Sequence, residues 1–127
     1  MLLEVNKAIF DKLVACSGCQ VFDSVPENKK KPYVVLAEVE STPWDSKTTK
    51  GFEVSAGVLI YSDYKGDKEI NNITEKIRAA FTDTNYDLGP SLKVITQSLD
   101  LVKVERVEEY RQGTINLKLK IYKEEKI

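Results

Sequence analysis

Cys16 and Cys19, in the stretch CSGC, are by type and spacing the residues best suited to redox or metal chemistry. A thioredoxin-type pair sets its first thiol at a helix N-terminus, where the positive end of the macrodipole stabilises the thiolate. Here the apolar periodicity of residues 2–15 predicts a helix whose negative end carries both cysteines, which opposes thiolate formation. A zinc site needs two further soft or imidazole ligands, and the chain has no histidine and no third cysteine, so only a site shared between subunits could be completed. Two ordinary thiols at a helix end is the reading that remains.

The acidic groups fare no better. Asp63, Asp67 and Glu69 lie close in sequence but lack the ligand order of an EF-hand loop. Asp67 and Glu69 instead fall at the start of a second predicted helix, where carboxylates cap free N–H groups and offset the macrodipole. Glu38 and Glu40 share one side of a predicted strand without a partner for general acid–base work, and read as a solvated sheet face. Lys29, Lys30 and Lys31 precede Pro32 without interleaved aromatics, which predicts a solvated loop and not a phosphate- or base-binding patch. Neither GxGxxG nor GxxxxGK[ST] can be written on this chain, and without histidine the Ser-His and Cys-His pairs are missing. No catalytic residue, cofactor or metal is assigned, and the chain is not expected to be an enzyme.

The elements that would position these groups are legible from periodicity. Phe52, Val54, Ala56, Val58 and Ile60 alternate as in a strand with one buried face, and after the turn residues 62–66 the period changes to helical at Ile70, Ile73, Ile77 and Phe81. The helical stripe and the strand face should cover each other. Leu2, Val5, Ile9 and Leu13 form the stripe of the N-terminal helix, with Gly18 at its left-handed end. Residues 20–25 are a weak strand or an extended lead-in, and residues 33–40 a strand. Residues 92–110 are extended, with a bulge or break near residues 100–102, and residues 114–122 alternate strictly around Ile115, Leu117, Leu119 and Ile121. The order predicts an α+β fold: a mainly antiparallel sheet of four to five strands with two helices packed on one face.

Residues 41–51, STPWDSKTTKG, show no apolar period and read as a long flexible hairpin loop. At its centre Trp44 either anchors a partner or folds back over the edge of the core. Residues 123–127 are charged and expected to fray. The whole of residues 1–127 is expected to form one domain, and a net charge of −1 gives no general electrostatic case for nucleic acid. No apolar run approaches the roughly 20 residues that cross a bilayer, and the N-terminus lacks the order of a signal peptide, so a cytoplasmic chain without a membrane partner is expected.

Three stretches carry a resemblance: VFDSVPENKKKPYVVLAEVE, GVLIYSDYKGDKEINNITEKIRAAF and RQGTINLKLKIY. Together with the N-terminal helix they resemble the small tail-completion or tail-to-head joining proteins of long-tailed bacteriophages and prophages. The resemblance implies a non-enzymatic structural subunit of the virion, without active-site residues to carry over. It further implies a hexameric ring at the head–tail junction, assembled in the host bacterial cytoplasm, whose partners are other copies of itself, the head connector and tail-tube or terminator proteins. Sequence-specific nucleic acid is not among them. On that reading the candidate interface is Pro43, Trp44, Asp45, Lys47 and Lys50, in a loop with too few apolar residues to hold itself on its own domain. The competing reading is a small cytoplasmic ligand-binding or regulatory α+β domain.

Overall fold

A computed structural model describes residues 2–45, 50–86 and 88–123, with the side chain of Leu2 outside that description. Helix α1 (Leu2–Ser17) leads through Gly18, at φ +71°, into the short strand β1 (Gln20–Phe22). Then follow β2 (Tyr33–Asp45), β3 (Lys50–Ser62), helix α2 (Lys68–Ala80), β4 (Leu92–Val107) and β5 (Tyr110–Lys123). The five strands form one sheet in the order β1-β2-β3-β5-β4. Its pairings are antiparallel except that β1 runs parallel to the start of β2, so the fold is α+β with a mostly antiparallel sheet.

One face of the sheet is covered by both helices, as the two stripes require. Val5, Ile9 and Leu13 of α1 and Ile70, Ile73 and Ile77 of α2, with Phe81, are buried in one cluster with Val54, Val58 and Ile60 of β3. Ile115, Leu117, Leu119 and Ile121 of the central strand β5 complete it. Each such aliphatic side chain contributes about 1.5–3 kcal/mol by leaving water, so the cluster is the main source of stability. The opposite face carries a smaller cluster of Tyr33, Val35 and Tyr61, flanked by Phe22, Leu59 and Tyr110. Its rings form a row with centroids 5.8 Å apart for Phe22–Tyr33, 5.2 Å for Tyr33–Tyr61 and 5.7 Å for Tyr61–Tyr110.

The structure corrects two expectations. Residues 41–51 are not a long loop: β2 continues in register to Asp45, opposite Lys50, with Ser41 facing Val54 and Trp44 facing Gly51. Strand pairing prevails over the polar composition because cross-strand neighbours and the backbone ladder stabilise the hairpin without an apolar period. Residues 46–49 of the expected loop lie outside the described residues, as do residues 124–127 of the expected frayed end. The second correction concerns the start of α2, where Asp67 is the N-cap residue yet makes no side-chain capping bond. Its carboxylate instead receives Arg111 Nε at 3.1 Å and lies 3.6 Å from Arg106, both from the β4–β5 hairpin. Glu69 likewise accepts a hydrogen bond from Ser62 Oγ at 2.6 Å. These acids tie α2 to the sheet; a charged partner fixed by the fold outcompetes local backbone amides.

Candidate interface

The β2–β3 hairpin carries the residues singled out from sequence and divides them between its two faces. Pro43 and Asp45 pair with Phe52 and Lys50 on the helix side of the sheet. Together with Leu88 and Leu92 they line a groove of about 670 Å³ between the hairpin end and the segment that enters β4. Trp44 projects to the other side. Its indole Nε1 donates to the Phe52 carbonyl at 2.9 Å, and Lys120 Nζ lies 5.9 Å from the ring centroid. The ring lies directly on Gly51, where an added Cβ would meet it at 2.7 Å and the Ile121 carbonyl at 2.6 Å. Of the two readings of Trp44, the geometry shows the ring folded back on its own hairpin, half-exposed. Lys47 lies outside the described residues.

The remaining candidates for chemistry are placed apart. Cys16 Sγ donates to the Leu13 carbonyl at 3.8 Å and Cys19 Sγ to the Ser17 carbonyl at 3.6 Å, and both thiols are free. Burial pushes both thiols above the ordinary thiol range, the reverse of an activated cysteine. Among the described residues no group of three His, Cys, Asp or Glu side chains could hold a metal ion. Lys29 and Lys30 are exposed, but Lys31 folds back, with Nζ 5.3 Å from the Tyr110 ring centroid.

Periodicity gave no signal for a polar network beyond α2. Lys12 of α1 donates to Asp83 Oδ1 at 2.6 Å and sits 4.4 Å from the Tyr86 ring centroid. Gln97 of β4 donates to the Asp83 carbonyl at 2.8 Å and to the Phe81 carbonyl, and accepts from the Tyr86 hydroxyl. The Lys12 ammonium holds the Asp83 carboxyl below its usual range, and burial pushes the Tyr86 hydroxyl far up, so neither is poised for proton transfer near neutral pH. The network fastens α1, the end of α2 and β4 to one another. The described residues thus offer hairpin surfaces and strand edges, without a pocket that gathers activated groups.

Residues 8–120 match the family model described as Tail completion protein gp17. The chain belongs to this tail-completion family. The match runs from within α1 through most of β5, and it makes the chain a phage-type structural protein. Among solved structures, a chain from "Virion of native gene transfer agent (GTA) particle" is similar at TM-score 0.78 and 18% identity, covering 94% of this chain and 95% of that one. At that identity the likeness concerns the fold. No curated protein matches the tail-completion chain in sequence.

Proposed function

We propose that the chain is a ring-forming structural subunit at the junction between phage head and tail, and that it acts by binding and not by catalysis. The family match over residues 8–120 carries this reading. The virion particle that contains the similar fold supports a place in an assembled particle. The site chemistry agrees with it: half-buried thiols that hold their protons and carboxylates engaged by arginine, lysine or serine give no activated group. On this reading copies of the chain close a hexameric ring between the head connector and the tail tube or its terminator, after assembly in the host cytoplasm. Pro43, Trp44, Asp45 and Lys50, with Lys47, form the surface that meets a neighbour or the connector.

Deleting the gene from its phage or prophage and examining the lysate by electron microscopy tests the proposal. Separate heads and tails that join when purified chain is added are expected. Normally joined particles in the deletion would overturn it.

A further inference from the structure

The sheet ends in two unequal edges. On one side all of β4 is an edge strand, with β5 as its neighbour. On the other, β1 covers β2 only opposite Tyr33–Val35, so residues 36–45 have β3 on one flank and no strand on the other among the described residues. An unpaired edge is a template for another strand, and monomers blunt it by shortness, charge or proline. Strand β4 is 16 residues long, and Ile95, Leu101, Val102 and Val104 are 45%, 41%, 40% and 37% exposed. Its bulges end at Leu101, which leaves Leu101–Val107 in unbroken register with β5. The bulge in β2 ends at Val39, which leaves Val39–Asp45 unbroken with β3. Val39–Thr42 and Leu101–Val104 are the regular stretches that the pairing below sets opposite each other, with Pro43 just beyond them.

We infer that these edges are halves of one interface: the β4 edge of one subunit pairs with the β2 edge of the next copy, continuing the sheet from subunit to subunit. The inference rests on the ring reading and names the surface that closes the ring. Three observations select a second copy in this arrangement. First, β2, β3, β5 and β4 alternate in direction, so β4 runs opposite to β2. Neighbours related by rotation about an axis lying roughly along the strands keep their strand direction, and β4 then meets the neighbour's β2 antiparallel. Second, β2 carries Glu38, Glu40 and Asp45 and no Lys or Arg, whereas β4 carries Lys93, Lys103 and Arg106 against Asp100 and Glu105. Asp100 is engaged by Lys118 at 3.2 Å, as Lys103 is by Glu105 at 3.5 Å and Arg106 by Asp67 at 3.6 Å, so the complementarity lies in the opposite net charge of the two strands. Third, one register satisfies both faces. Setting Glu40 opposite the neighbour's Lys103 on the aromatic side also sets Val39 opposite Val104 and Ser41 opposite Val102 on the helix side, because Glu40 and Val39 face Ser55 and Ala56 while Lys103 and Val104 face Thr114 and Gly113. An edge-to-edge dimer of two β4 strands would leave the acidic β2 edge unused.

The same register places Thr42 opposite Leu101, within reach of a disulfide if both are cysteine. The test is therefore T42C/L101C in a C16S/C19S background, supplied to a deletion phage, with particles purified, oxidised and run without reductant. A ladder of covalent multiples that collapses on reduction, absent from either single-cysteine variant, is the expected result. Variant chain present in joined particles without a ladder would overturn the edge pairing and leave the ring reading standing. Chain missing from particles that are nonetheless joined would overturn the ring reading itself. A dimer from L101C alone would show β4 paired with β4 and also overturn the inference. As a second measurement, L101K/V102K should melt as the parent does, since both positions are exposed, yet fail to enter particles; normal incorporation would contradict the proposal.

Discussion

Gly113 of β5 lies so close to Thr74 of α2 that a Cβ added to the glycine would stand 2.8 Å from the Thr74 hydroxyl oxygen and 3.3 Å from Ile60 Cδ1. The contact sets how deeply α2 seats on the sheet, and the Thr74 hydroxyl is buried there without a hydrogen-bond partner. Gly113→Ala should destabilise the fold by about 1–3 kcal/mol through overpacking. Adding Thr74→Ala should recover part of that loss, and Thr74→Val alone should be neutral or stabilising, since it removes an unsatisfied buried hydroxyl at nearly constant shape. Urea unfolding of the parent, Gly113→Ala, Thr74→Ala and the double variant measures the coupling, with Thr74→Val as a fifth protein beside them.

Ile77 is fully buried at the centre of the helix–sheet contact. Ile77→Ala should cost about 2–5 kcal/mol, whereas Leu3→Ala, at a position 78% exposed, should change stability little. Thermal melts followed by circular dichroism separate the two.

The thiols supply a pH prediction. Burial raises Cys16 and Cys19 above the ordinary value of 9.0, so each holds its proton more tightly when folded than when unfolded. Their contribution to stability is complete below about pH 9 and is lost as pH climbs through the raised folded values. Alkylation of the native protein near neutral pH should be slow, and the C16S/C19S variant should assemble normally and lose less stability on alkaline titration than the parent. Stoichiometric zinc in the purified protein would contradict this account of the pair.

At the hairpin end, replacing residues 46–49 with Asn-Gly keeps the Asp45–Lys50 pair and supplies a two-residue turn that suits the strand twist. The melting behaviour should stay nearly intact while head-to-tail joining fails. Unfolding would mean the segment is structural, and normal joining would mean it is only a connection. Trp44→Ala removes the bond to the Phe52 carbonyl and uncovers Gly51, so it should destabilise the hairpin as well as weaken assembly.

Much of this fold can be read from local pattern because its elements are strongly amphipathic. The stripe Ile70, Ile73, Ile77 and Phe81 and the alternation Ile115, Leu117, Leu119 and Ile121 each bury one face, and the bulge between Leu99 and Leu101 falls where the apolar side switches. What pattern misses is non-local. Residues 41–45 join the sheet because β3 offers a ladder, although their own composition suits a loop. Asp67 turns to Arg111, 44 residues away, and Gln97 reaches the end of α2, contacts that no spacing rule anticipates. Of the candidate interface, sequence located the hairpin but not the division that sends Trp44 to one face and Pro43 with Asp45 to the other. The free edge of β4 was also hidden, because only the strand order shows which strand lies outermost.

The central claim, a structural ring between head and tail, is tested most directly by a cryo-electron reconstruction of the junction in intact particles. The account predicts a closed ring of copies of this chain between the connector and the tail tube, with strands continuous from subunit to subunit. Joined particles whose junction contains no copy of the chain would contradict it.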